Sequence, residues 1–329
     1  MHGFLISETF PVFISHQQKL TFEQLLHELQ LYKTQIAELL LKQGGLVLRG
    51  FPVASAKNFE QVIIALGLGK FVDYIGGDSP RHKITDHVYT STEAPPNFHI
   101  PLHQELSFVK NFPHHIYFFC EIAPEKGGAT IIGDARRIQT ALAPNVKQRF
   151  QEKNLIYISH YFRHHKFIEW LMQRSHKSWI DVFETENKQD VEKKCREHEF
   201  NWQWYKNEWL EIKQTRPAVI VHPQTHETIW FNQAHLYDFN PRFLGWKNYI
   251  GAKLFYLRPS MRLHEVKFGD ETQIPRQDFY HILDTLTQQT VSFPWQQGDV
   301  MILDNILTFH GRAQFSGKRR ILTALTQNR

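Results

Sequence analysis

Three side chains, distant along the chain, have the types needed to share a metal ion. His103 and Glu105 stand two apart in Ile100-Pro101-Leu102-His103-Gln104-Glu105-Leu106-Ser107-Phe108, a spacing that in an extended strand turns an imidazole and a carboxylate to the same face. His310 ends an apolar, strand-like run that begins at Gly298-Asp299-Val300-Met301-Ile302-Leu303-Asp304-Asn305, and Gly311 and Arg312 follow it. Two histidines and one carboxylate are the facial set that holds non-haem Fe(II) and leaves adjacent coordination positions open. The His-x-acid triplet carries no weight alone: with 20 His and 33 Asp plus Glu in 329 residues, composition predicts about two by chance. A histidine hydrogen-bonded on a barrel rim is the competing reading of His103.

Further groups lie where a metal-bound ligand would need them. Arg319 and Arg320 head the run Ile321-Leu322-Thr323-Ala324-Leu325, after the turn Phe315-Ser316-Gly317-Lys318. A guanidinium forks onto a carboxylate, so an arginine beside a metal-bearing histidine can anchor the far end of a dicarboxylate that chelates the metal at its near end. Adjacent strand residues face opposite ways, so at most one of the pair points inward. A solvated turn arginine is the alternative, and it suits Arg319 better. In Lys126-Gly127-Gly128-Ala129-Thr130-Ile131-Ile132-Gly133-Asp134, the glycine pair permits a tight turn and Asp134 can cap a helix over 135–142. Thr130 offers a hydroxyl in the intervening strand, or is simply a β-former.

Positioning these groups is work for strands. Segments 115–122, 129–133, 155–160, 218–222, 228–231, 290–293, 300–304 and 320–326 are short, β-branched or aromatic, and bounded by turn residues. Many short strands with few long helices indicate a sandwich or barrel. Ahead of them, Thr21 and Gln24 form a capping box for a helix whose apolar positions run from Leu25 to Leu40 and which Gly44 and Gly45 stop. A strand over 46–50 and a helix over 59–66 follow. Segment 163–215 changes to a charged, helical pattern with five tryptophans. It reads as an insertion, either a solvated helix pair or a lid over a site.

Composition bounds the rest. At 42% apolar and 22% charged, with no internal repeat, residues 1–329 read as one globular domain. Two cysteines, Cys120 and Cys195, cannot supply a disulfide framework, so a reducing, cytoplasmic setting is expected. Apolar runs fall well short of the roughly 20 residues of a membrane span, and residues 1–13 lack the pattern of a secretory signal. The net charge of +5 is spread along the chain without an aromatic-interleaved basic motif, which disfavours nucleic acid as a partner.

Taken together, the segments Gly45–Gly50 (GLVLRG), Thr90–Phe108, GGATIIGDAR, Arg216–Gln233 and GDVMILDNILTFHGRAQFSGKRRIL resemble, in order, the Fe(II)/2-oxoglutarate-dependent dioxygenases of the taurine dioxygenase and clavaminate synthase-like superfamily. The resemblance covers most of the chain. It implies a mainly β fold, a double-stranded β-helix or jelly-roll with flanking helices and a helical insertion. It also implies that His103, Glu105 and His310 bind Fe(II), that Arg320 pairs with the distal carboxylate of 2-oxoglutarate, and that Thr130 hydrogen-bonds the same carboxylate. Arg320 is preferred to Arg319 on the motif's spacing, although a one-residue shift exchanges them. With O2 as oxidant, the implied reaction is hydroxylation or desaturation of a small molecule, an amino acid or a carrier-protein-bound amino acid. Glu105 fills the position that related halogenases vacate for chloride. A second arginine, expected four residues beyond the cosubstrate arginine in enzymes that hold a sulfonate, is replaced by Ala324. Two rival classes remain: a cupin-like metal-containing binding module without turnover, and a zinc hydrolase, against which stands the lack of a His-Glu-x-x-His segment. Arg312 is a candidate for a substrate carboxylate or for a structural salt bridge.

Overall fold

All of Val300–Asp304 is buried, because this strand has neighbours on both edges and packed layers over both faces. The computed structural model describes residues 1–72, 81–163, 178–238, 240–255 and 264–328. Within it, Val300–Asp304 sits in a sheet ordered Phe4–Ile6, Val12–His16, Gly45–Leu48, Val300–Asp304, His115–Ile122, Arg320–Gln327 and Lys70–Phe71, with Tyr89–Thr90 also pairing the Arg320–Gln327 strand. Pairing is antiparallel except between Val12–His16 and Gly45–Leu48.

Strand alternation gives this sheet two apolar faces. Tyr117, Phe119, Val300, Ile302, Leu322 and Ala324 pack outward against the helices Phe22–Leu31, Lys33–Gln43 and Ala56–Leu66. Thr21 caps the first of these, reciprocally with Gln24. The single helix read from the periodicity is two, parted at Tyr32, and the second ends at Gly44 in the left-handed region. The opposite parity, Ile116, Phe118, Cys120, Met301, Leu303, Ile321 and Leu325, packs inward together with Ile132. Ile132 belongs to a second, three-stranded sheet, Ile100–His103, Thr308–Arg312 and Thr130–Asp134. Two sheets sharing one apolar interior form the double-stranded β-helix. Among the described residues no helix is long and apolar enough to cross a membrane.

Segment 163–215 is only partly helical. Trp170 and residues 164–177 around it lie outside the described residues. Trp179–Phe183 and Lys188–Glu197 are helices, but Asn201–Trp204 and Leu210–Arg216 are strands, paired with each other and, through Leu155–Tyr161, with His264–Phe268. The missed signal is the period of two in Leu210-Glu211-Ile212-Lys213-Gln214, whose even positions are buried. Four of the five tryptophans are described. Trp179 is buried and meets Trp204 edge to face, at the centre of a separate small core with Val182, Val191 and Leu210.

Candidate active site

Sheet register brings the histidines together. His310 pairs with His103 on one side and Ile132 on the other, so both imidazoles leave the sheet on one face, with ring centroids 4.4 Å apart. Gly311 allows this approach, because a Cβ there would stand 2.4 Å from the Ile100 carbonyl oxygen. Glu105 arrives differently from the sequence expectation. The strand ends at His103, and Glu105 lies in the turn that follows, where Leu106 is held at φ 53°. A leucine in that region is strained, and the surroundings must impose it. Asn305 is one restraint: its Oδ1 accepts from the Glu105 N–H at 2.7 Å and its Nδ2 donates to the carbonyls of Glu105 and Pro113. Gln104 adds a bond to the Ile306 carbonyl at 2.7 Å. Neither residue was singled out from sequence, although Asn305 stands inside the quoted GDVMILDN run. Replacing Asn305 with alanine leaves the Glu105 N–H and two carbonyls without these partners in a buried place. The expected cost is about 2 to 4 kcal/mol, read from denaturant midpoints, with metal affinity lowered about tenfold or more.

The result is one ligand atom each from His103, Glu105 and His310, all within 4.8 Å of one another. His103 Nδ1 bonds the Pro101 carbonyl at 2.9 Å, which fixes its tautomer and leaves Nε2 with the lone pair. Burial, then the neighbouring His310, pushes its pKa down to about 3, so it is a neutral ligand at physiological pH. Burial pushes the Glu105 carboxyl up, but the Arg81 guanidinium, the hydrogen bond with His310 and the charges of both histidines together outweigh it and hold the group ionised below its ordinary range. Glu105 Oε2 is 3.4 Å from His310 Nε2 and 2.9 Å from Arg81 Nη2. This donor set, two imidazoles and a carboxylate, fits Fe(II).

The two arginines differ in their relation to the adjoining cleft. Arg319, with Arg81, Thr130, Phe118 and Arg312, lines it beside His103 and His310. Arg319 Nε donates to the Gly128 carbonyl at 2.8 Å, and its Nη2 lies 3.5 Å from Thr130 Oγ1. Thr130 Oγ1 also accepts from the Trp295 indole. Gly128, in the left-handed region, gives Arg319 its room: a Cβ there would meet the Arg319 Cδ at 3.0 Å. The sequence preference was for Arg320, which does not line this cleft. Arg320 is exposed and paired with Glu121 at 2.8 Å. Counting back from the inward Ile321, parity puts residue 320 outside and 319 inside, and a bulge leaves Glu121 as the extra residue opposite Arg320. The same parity moves the position four residues on from Ala324, which faces the outer helices, to Thr323, which is fully buried. Among the described residues no carboxylate pairs with Arg319, whose pKa burial and then Arg312 push down to about 10. A half-buried cation so placed suits the far end of a dicarboxylate.

Among the described residues Arg312 forms no salt bridge. Its guanidinium donates to the carbonyls of Ala94, Pro95 and Phe98, and more weakly to that of Thr92, fastening the loop at the cleft's rim. Arg81 was missed because nothing in its local spacing marks it. So was His235, fully buried, whose Nε2 bonds the Leu102 carbonyl at 2.8 Å behind the metal-side strand. Of the other histidines, His160 pairs with Glu211 and His222 with Asp304. His222 also accepts the backbone N–H of Gln224 and Thr225, shaping that turn. His164, His165 and His176 lie outside the described residues.

Burial also sets an acid limit on stability. His115 and His235 are both pushed down from 6.5 to about 4, chiefly by burial. Between those values the unfolded chain takes up protons that the folded chain refuses, so stability is full above pH 6.5 and falls as the pH drops toward 4. At about 1.4 kcal/mol per pH unit per group, these two and His103, likewise pushed down, together cost the metal-free protein about 4 kcal/mol between pH 7 and 5.5. Urea midpoints of the metal-free protein at these two pH values measure it.

A jelly-roll with a His-Glu-His group beside an arginine-lined cleft is the layout of an Fe(II)/2-oxoglutarate-dependent oxygenase. The chain belongs to the taurine catabolism dioxygenase TauD, TfdA family, whose sequence model matches residues 9–326. It is 32% identical to the dapdiamide synthesis protein DdaC of Enterobacter agglomerans over 88% of this chain and 84% of that one. It is 29% identical to a clavaminate synthase-like protein of Arabidopsis thaliana over 90% and 86% of the respective chains. Among solved structures, PvcB from Pseudomonas aeruginosa shares the fold at a TM-score of 0.52 and 15% identity, over 96% of this chain and 85% of that one. The protein is thus a dioxygenase that uses Fe(II) and 2-oxoglutarate.

Proposed function

We propose that His103, Glu105 and His310 hold Fe(II), that Arg319 and Thr130 anchor the distal carboxylate of 2-oxoglutarate, and that the enzyme hydroxylates or desaturates a small amino acid or a carrier-bound amino acid. The observation that carries this reading is the convergence of three ligand atoms within 4.8 Å beside Arg319, a cation with no carboxylate partner among the described residues. Bound Fe(II) and 2-oxoglutarate supply O2 activation coupled to decarboxylation, with succinate and CO2 released.

This chain's own residues supply placement. The His103 Nδ1 bond to Pro101 and the Asn305 clamp on Glu105 fix two ligands before metal arrives. Phe118, 5.4 Å from the His310 ring, gives the cleft an apolar wall that keeps water from the reacting centre. Glu105 occupies the position a halide would need, which favours hydroxylation or desaturation. The inward positions after Arg319, namely Ile321, Thr323 and Leu325, offer no cation for a sulfonate. The likeness to a protein of dapdiamide synthesis favours a biosynthetic role. Residues 163–215 are read as an insertion on a single catalytic domain, supported by the Trp179-centred core. Cys120 and Cys195 are free and buried, which suits a cytoplasmic setting.

The test is metal analysis of anaerobically purified protein, followed by succinate and O2 measurements with Fe(II), 2-oxoglutarate and a panel of free and carrier-linked amino acids. Iron rather than zinc, with succinate formed in step with O2 uptake, is the expected result. Zinc with hydrolysis of the probes, or iron without decarboxylation, returns the protein to one of the rival classes.

A further inference from the structure

We propose that Trp295 is a positioning residue for the cosubstrate: its indole N–H fills a lone pair of the Thr130 hydroxyl, which leaves the hydroxyl hydrogen to be donated to the distal carboxylate of 2-oxoglutarate. This rests on the reading of Thr130 given above and deepens it.

Counting hydrogen bonds at Thr130 shows why. A threonine hydroxyl has one hydrogen to give and two lone pairs to fill, whereas an indole N–H and a guanidinium only donate. Trp295 Nε1 lies 3.2 Å from Thr130 Oγ1, and Arg319 Nη2 lies 3.5 Å from the same atom. Neither neighbour can accept the hydroxyl hydrogen. Among the described residues that hydrogen meets no acceptor, although Thr130 is buried and lines the cleft with His103 and His310. Buried polar groups take a partner, and a carboxylate oxygen entering the cleft is the strongest acceptor for a hydroxyl. With the indole absent, the hydroxyl is free to turn a lone pair toward that carboxylate, and the two repel.

The indole is held in place from both ends of its turn. Arg49, in the GLVLRG segment, donates to the Pro294 carbonyl at 2.9 Å and to both carboxylate oxygens of Asp299 at 3.0 and 2.6 Å. Asp299 in turn accepts the Gln296 N–H at 2.9 Å, so one ion pair closes the chain on either side of Trp295. Phe293 meets the indole edge to face at 5.3 Å, and Trp295 itself is buried in the inner core with Ile132, Thr130's near neighbour on the same strand. Arg49 and Asp299 stand in two of the sequence segments singled out above and contribute nothing to the metal centre. Presenting Trp295 to Thr130 gives both a role.

The experiment titrates the anaerobic Fe(II) enzyme with 2-oxoglutarate and, separately, with 2-oxopentanoate, which has a methyl group in place of the distal carboxylate, following the visible charge-transfer band of the chelated iron. Thr130→Val is expected to weaken 2-oxoglutarate about tenfold or more, and Trp295→Phe about three- to tenfold, while both hold 2-oxopentanoate within about twofold of wild type. β-(3-Benzothienyl)alanine in place of Trp295 keeps the shape and puts sulfur where the N–H stands. It is expected to match Trp295→Phe, and it separates the lost hydrogen bond from a disturbed core. In the Thr130→Val background either replacement of Trp295 is expected to change nothing further, whereas in Thr130→Ser it still weakens 2-oxoglutarate. Wild-type affinity for 2-oxoglutarate in the benzothienyl protein, an equal loss for both oxo acids, or an undiminished further loss on top of Thr130→Val overturns the proposal. Two other results reach deeper: normal 2-oxoglutarate binding by Thr130→Val overturns the role of Thr130 and this inference with it, and failure of the band to form in the wild type overturns the proposed function itself.

Discussion

His310→Ala is expected to bind no stoichiometric Fe(II) and to lose at least about a thousandfold in 2-oxoglutarate turnover, while keeping its fold. The strand that carries His310 is held by pairing on both sides and by Phe309 in the opposite core, so loss of the imidazole leaves the scaffold standing. Metal content by elemental analysis, succinate formation and a far-ultraviolet spectrum separate the two effects. Glu105→Ala is expected to cost the same activity and also stability, because it removes the carboxylate of the buried Arg81–Glu105 ion pair. Removing one partner of a buried ion pair costs about 3 to 5 kcal/mol. Glu105→Gln keeps the shape and loses the charge, so it is the cleaner probe of the carboxylate as ligand. Wild-type turnover in His310→Ala would sink the assignment of the metal centre.

The second large effect separates neighbours. Arg319→Ala is expected to raise the KM for 2-oxoglutarate about a hundredfold, equivalent to losing roughly 2 to 3 kcal/mol of charge-assisted hydrogen bonding. Arg319→Lys recovers little of it, since a lysine cannot supply the fork. Arg320→Ala removes only an ion pair whose side chains are 46% and 25% exposed, worth less than about 1 kcal/mol after solvent screening, and KM should stay within about twofold. The reverse outcome, with Arg320→Ala crippled and Arg319→Ala normal, would restore the assignment made on motif spacing.

That pair of residues shows where sequence reasoning runs out. Alternation correctly limits the inward position to one arginine, but Ile321 and Leu322 are both apolar because both faces of the sheet are covered. Hydrophobicity therefore gives no parity, and the bulge at Glu121 is silent in the sequence. The grouping of His103, Glu105 and His310 was legible because motif order supplied what the triplet could not, yet the reason given for Glu105 was wrong in kind: a turn, not an extended strand, swings it to the histidines. Arg81 and His235 were invisible because their contacts span 24 and 133 residues and neither belongs to a local pattern. The strands of the barrel were read from their flanking turns, and the hairpin inside 163–215 was missed where charged residues on its open face imitate a solvated helix.

The hold of Arg312 on backbone oxygens, and not on side chains, makes the rim from Thr92 to Phe98 a rigid passenger of the strand that bears His310. Most residues along that rim can be exchanged without loosening its attachment. Selectivity can therefore drift by substitution there while the span from doorway to iron stays constant, which lets one catalytic frame be refitted to new molecules without rebuilding its centre.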